Sequence, residues 1–246
     1  MAEDQTVIED AIRYPWTGED HVARIVIGGL LGMFGILFVP MLFVYGYLVR
    51  VLRDVSAGQR ATAPPFDDWG ELLADGVSVF VIGVVYYGVP FLLIAVAFIA
   101  SFFPIFIGAG AGGDGGAAVG TLGTLFAMFA VQMLAGVVLL VAAYILPGAV
   151  AAYARTDRLG AAFSPSTVRT IVTNRDYAIA WLYAFAINIL ASVATNLAVF
   201  TIVGILVVPF VSFYSLVACT YAIGHGVADI PLEGADEDTT ATQPAG

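Results

Sequence analysis

Four long stretches of the chain carry no Asp, Glu, Lys or Arg: about Ile25 to Val49, Val77 to Gly113, Ala117 to Ala154 and Ala178 to Ala228. A spanning helix needs roughly 20 predominantly apolar residues, so each stretch is long enough for one and the last is long enough for two. With 60% hydrophobic and 11% charged residues and a mean hydropathy of +0.94, the chain has too little polar surface to hold itself in solution. These features place it in a bilayer and predict an all-α, polytopic transmembrane helix bundle.

A repeated segment sets the number of helices. GILFVPMLFVY runs from Gly35 to Tyr45 and GILVVPFVSFY from Gly204 to Tyr214, with six of eleven positions identical. Proline suits the first turn of a helix, where its missing N–H is no loss, and costs about 3 kcal/mol in the middle. Both copies are therefore read as the chain turning at one membrane face and starting its next helix. Residues 21–53 then form a short hairpin and the bundle has six hydrophobic helices; the alternative is five, with the first kinked at Pro40. All nine positive charges are Arg, and the hairpin collects all nine on one side, whereas a single span leaves Arg13 and Arg24 opposite the others. The positive-inside rule favours the hairpin, with both termini cytoplasmic in the plasma membrane.

The rest of the chain follows from this. Residues 1–20 are expected as an interfacial helix, with Val7, Ile8, Ala11 and Ile12 on one face and Tyr14, Pro15 and Trp16 as an aromatic anchor. Residues 21–227 form the transmembrane domain, and 228–246 an acidic, disordered cytoplasmic tail. Between the hairpin and the third helix, Gly58 ends a helix, Pro64 and Pro65 extend the chain, and Asp68 with Glu71 caps a short interfacial helix. The third helix is expected from about Gly76 to Ile107, kinked at Pro90, and the fourth from Val119 to Ala154, across a flexible external glycine-rich loop. A helix begins at Ser164-Pro165 in the second cytoplasmic loop, and helices five and six occupy Tyr177 to Thr201 and Ile205 to Val227.

Nineteen acidic residues against nine arginines and no lysine give a net charge of −10. A dense carboxylate surface retains its water in molar salt, where self-repulsion is screened over about 3 Å, so a halophilic archaeon is the expected source. The run from Gly46-Tyr47 through Arg50 and Arg53 to PPFDDWGELLADG, followed by an apolar helix containing YYGVP, resembles the haloarchaeal multi-pass family catalogued as domain of unknown function 4013. The resemblance covers most of residues 5 to 227 and is most specific over Gly46 to Gly76. AAFSPSTV in the later loop is similar to more distant prokaryotic six-helix families. The resemblance implies a membrane location and a helical architecture; it carries no activity and no catalytic residue.

The residues themselves point away from catalysis. No charge lies deep in a span, which removes the usual mark of a proton-coupled carrier. His21 and His225 sit at helix ends, Cys219 is alone, and neither HExxH, GxSxG nor a Walker loop is present, so no catalytic residue, metal site or cofactor is expected. The polar residues within the apolar regions are Gln132, Asn188, Ser192 and Asn196; the last three are four apart and share one face, suited to a small polar cavity or to helix contact. GGLLG, Gly28 to Gly32, is expected to pack within the chain. Arg50, Arg53, Asp68 and Trp69 form a charged cluster beside an interfacial helix, fit to receive a partner protein or lipid headgroups, and Arg169 and Arg175 are available to lipid phosphates. The expectation is a non-enzymatic membrane scaffold or accessory subunit that binds membrane lipids and a protein partner or second copy, not nucleic acid. The alternative is a small-solute transporter or channel without buried charge.

Overall fold

The structure, a computed structural model, describes residues 2–18, 20–110 and 113–232. Among these it contains no strand, and its helices are α1 (Ala2–Arg13), α2 (His21–Met33), α3 (Val39–Ser56), α4 (Trp69–Ala100), α5 (Phe103–Gly110), α6 (Gly113–Thr156), α7 (Pro165–Val172), α8 (Arg175–Ala198) and α9 (Ile202–Val227). The acidic tail expected at the C-terminus lies, from residue 233 on, outside the described residues. Among the described residues, four helices are long and apolar enough to cross a membrane: Trp69–Ile107, Ala118–Thr156, Arg175–Ala198 and Val203–Val227.

Residues 21–53 are a hairpin and not one kinked span. α2 ends at Met33, a 3₁₀ turn covers Gly35–Leu37, and α3 starts with Pro40 in its first turn. Not every hydrophobic helix is long enough to cross, however. At 1.5 Å per residue the 13 residues of α2 rise only about 20 Å, short of the ~30 Å hydrocarbon layer. α3 gives up its last turns to Arg50, Arg53 and Asp54.

The described residues divide into two compact units, those within 1–82 and 147–246 and those within 83–146. In the first, α9 is central and packs against α8, α3, α2 and α1. Small residues let these helices approach. A Cβ on Gly28 would lie 2.4 Å from the Phe213 ring, and one on Gly29 would lie 2.1 Å from that of Phe210, so the first two glycines of GGLLG serve packing within the chain. α3 and α4 meet more closely still: a Cβ on Gly46 would fall 1.8 Å from the Leu72 carbonyl oxygen, and one on Gly76 would fall 1.9 Å from that of Leu42. α1 is held on α9 by the Tyr14–Tyr221 ring pair, 4.5 Å apart, and by the Tyr214 hydroxyl donating to the Ile12 carbonyl. Tyr14 is thus a buried packing residue, while Trp16 stays exposed beside His21.

Several helix boundaries differ from the sequence reading. The interfacial helix at Asp68 is not separate: α4 runs unbroken from Trp69, because Asp68 accepts from the Glu71 N–H and Gly76 is needed for contact and not for a break. Pro90 lies inside α4, and Pro104 opens α5. The glycine-rich stretch is helical on either side of residues 111–112. Pro209 lies inside α9 and not in its first turn; Thr201 caps that helix, accepting from Gly204 N at 2.9 Å. In the second unit, α5 lies against α6 where Pro104 faces Gly123.

Candidate functional site

The charged residues expected to receive a partner come together at the end of α3. Gly58, at φ +87°, terminates that helix, and the extended segment after it is fastened back along α3. Tyr47 donates to the Pro64 carbonyl at 3.1 Å and stacks on Phe66, with centroids 4.2 Å apart. Trp69 closes this aromatic row edge-on to Phe43 and remains partly exposed.

Arg50 and Arg53, one turn apart, then address the start of α4. Arg50 pairs with the Asp67 carboxylate and donates to the Asp67 and Pro65 carbonyls; its second amino group meets Glu71 at 3.0 Å. Arg53 reaches Asp75 at 3.2 Å, Asp157 at 2.5 Å, Glu71 at 3.5 Å and the Ala154 carbonyl at 3.3 Å. Tyr153, near the end of α6, donates to Asp75 at 2.6 Å, so the buried Asp75 carboxylate is held from two sides. Asp68 sits exposed at φ +45°, where its side chain caps α4.

The result is an open cleft lined by Arg50, Arg53, Asp54, Pro64, Pro65, Asp67, Asp68 and Glu71. Both guanidiniums are already paired with carboxylates of the chain, and these charges are mutually oriented before any partner arrives. The surplus is acidic, since Asp54 and Asp68 make no ion pair among the described residues. Such a cleft suits a cation-bearing side chain better than a phosphate.

Asp54 is the unsettled member. Its carboxylate has no hydrogen bond among the described residues, and burial pushes its pKa up against the opposing pull of Arg50 and Arg53, with a smaller push from Glu71. A carboxyl raised on folding penalises the folded state once the pH exceeds its folded pKa. That penalty fades as the pH falls through the folded pKa toward the ordinary carboxylate value. Asp54→Asn is therefore expected to raise the melting temperature in detergent at pH 7. The gain should shrink toward zero as the pH approaches 4; a gain independent of pH would mean that the charge is not its origin.

The other named residues lie elsewhere. Arg169 and Arg175 are exposed on α7 and α8 without an ion pair among the described residues. Ser164 caps α7 from its side chain, and Val168 and Ile171 are buried. Gln132 is exposed on α6. Asn188, Ser192 and Asn196 do share a face of α8, but it is exposed, and the Asn196 amide donates to its own helix at the Ser192 carbonyl, 2.7 Å away. No interior polar cavity forms from them. The residues that the sequence reading passed over are Asp54, Asp67, Asp75, Tyr153 and Asp157. Part of the signal was present: Glu71 and Asp75 are four apart, which puts both carboxylates on one face of α4. Among the described residues no group of three or more His, Cys, Asp or Glu side chains is arranged to hold a metal ion.

Residues 30–200, most of the chain and including this whole cluster, match the family described as "Protein of unknown function (DUF4013)". The chain belongs to the DUF4013 family. The match starts inside α2 and stops at the end of α8, a narrower range than the resemblance suggested. No curated protein and no solved structure matches the chain. For this DUF4013 protein, then, the site must be read from its own geometry.

Proposed function

We propose that the chain is a non-enzymatic scaffold or accessory subunit of the cell membrane. In this reading both termini are cytoplasmic, and the acidic cleft at the ends of α3 and α4 receives a basic segment of a partner protein. One observation carries it: Arg50 and Arg53 are committed to carboxylates within the chain, while Asp54 and Asp68 are left to the cleft. A rigid acidic surface beside two prolines and Trp69 offers charge and an apolar edge without a nucleophile or a proton relay. Membrane lipids engage Arg169 and Arg175, on the opposite side of the charge balance. The solute-carrier reading has less support, because Asn188, Ser192 and Asn196 face outward. The absence of lysine and the excess of carboxylate fit a halophilic archaeal host.

The test is extraction of the tagged protein from its own host in mild detergent, at the salt of that host, followed by native mass measurement. The comparison is Asp54→Asn with Asp68→Asn, a pair that retains the cap on α4 because asparagine caps as well as aspartate. A stoichiometric protein partner on the wild type, lost from the double variant although its melting temperature does not fall, is the expected result. A wild-type protein that is monomeric and alone, or a partner retained unchanged by the variant, overturns the reading.

A further inference from the structure

The turn between α2 and α3 is built unlike a loop that meets water. From Phe34 to Val39 it reads Phe-Gly-Ile-Leu-Phe-Val, without one polar side chain, where a solvated turn is rich in Gly, Asn, Asp, Ser and Pro. Its side chains are nonetheless uncovered: Ile36 is 93% exposed and Leu37 65%, with Phe34, Phe38 and Val39 each near half. Phe38 turns the chain at φ +66°, and its ring touches Phe80 of α4 edge-on at 4.7 Å.

Part of the turn's backbone, by contrast, is bonded within itself. Leu37 N donates to Phe34 O, Phe38 N to Gly35 O and Met41 N to Phe38 O, and Pro40 has no N–H to leave open. Such closure matters in lipid, where an unsatisfied N–H costs several kcal/mol, and is of little consequence in water, which would satisfy it.

The turn's depth follows from its neighbours. α2 runs antiparallel to α9, since Gly28, Gly29 and Gly32 face Phe213, Phe210 and Pro209 in turn. Four further residues along α2's direction bring Ile36 level with about Ile205, roughly 5 Å short of the start of α9. The adjoining turn between α8 and α9 has the same character: Phe200 is 87% and Val203 72% exposed, and the hydroxyl of Thr201, its one polar side chain, is consumed by Ala198 O and Gly204 N. From His21 to Leu37 the first arm of the hairpin rises about 25 Å, less than the ~30 Å of hydrocarbon.

We propose that the α2–α3 hairpin is re-entrant: it enters and leaves through the charged face, and its Phe34–Val39 turn ends among the acyl chains of the opposite leaflet. The repeated GIL(F/V)VP segments then mark one apolar end of the unit, where two turns meet lipid. Both arms of the hairpin contribute contact to α9 and neither counts as a span, which leaves the four long helices to cross.

The test uses a nitroxide side chain attached at Ile36→Cys in the full-length protein carrying Cys219→Ala, reconstituted in phospholipid bilayers. Collision rates with dissolved oxygen, which concentrates in hydrocarbon, are compared with those of a water-soluble nickel chelate. Thr173→Cys, at an exposed position of the charged end, serves as the control that the chelate reaches. Ile36 makes little contact, so its replacement leaves the fold intact, and the melting temperature verifies that. The expected result is oxygen access several-fold above chelate access at position 36 and the reverse at 173. Chelate access at 36 places the turn in water and overturns the proposal. Exclusion of both probes shows a protein cover, such as a second copy, and overturns it equally.

Discussion

Gly46→Ala is expected to destabilise the protein by about 3 kcal/mol or more, at the upper end of what overpacking a tight contact costs. The added Cβ would lie 1.8 Å from the Leu72 carbonyl oxygen and 2.6 Å from its carbonyl carbon, and neither can rotate away as the tip of a side chain would. Gly76→Ala meets the Leu42 carbonyl in the same manner from the other helix. Either change forces α3 and α4 apart, so the two together should lose less than the sum of the singles. Gly83→Ala, farther along α4 with nothing within 4 Å of its Cβ, is the matched control and should be neutral or gain up to about 1 kcal/mol of helix propensity. Unfolding of the three variants in one detergent, followed by helical circular dichroism, decides the matter. A Gly46→Ala protein as stable as the Gly83→Ala control would mean that the two backbones are not in contact.

That contact also shows what the sequence could and could not reveal. Gly46 and Gly76 bound the segment on which the resemblance mainly rested, and Gly76 reads from sequence alone as the start of a helix, because glycine interrupts helices more often than it joins them. Its role is legible only once Leu42 stands opposite. The hairpin was legible, since Pro40 suits a first turn and the arginine distribution constrained the topology. Pro209, in a segment of nearly the same sequence, was misplaced: Thr201 supplied a cap earlier in the chain and the helix then ran through the proline. The face formed by Asn188, Ser192 and Asn196 was found correctly but its direction was not. In a bilayer the lipid side and the protein side of a helix are both apolar, so periodicity that separates core from water in a soluble helix carries no such information here. The charge cluster was half legible. Arg50, Arg53, Asp68 and Trp69 lie within twenty residues of one another, whereas Asp157 reaches Arg53 from 104 residues away and Tyr153 reaches Asp75 from 78.

Arg53→Met should produce the second large effect. Asp75 is buried beneath the Arg53 guanidinium, and removing one partner of a buried pair leaves an uncompensated charge, typically a loss of about 3–5 kcal/mol. Arg53→Lys should recover only part of it. One ammonium on a flexible stem cannot serve Asp75, Asp157 and the Ala154 carbonyl together, as the planar guanidinium does. Adding Asp75→Asn to Arg53→Met removes the stranded charge while its amide oxygen still accepts from Tyr153, so the double variant should be more stable than Arg53→Met alone. A double-mutant cycle on thermal unfolding in detergent measures this, and a coupling above about 1 kcal/mol is expected. Losses that simply add would show that Arg53 and Asp75 do not act together. Strong coupling would instead identify Arg53 as the tie between the ends of α3, α4 and α6. Arg53 would then fix the cleft's carboxylates in place and would not itself be free to bind what enters it.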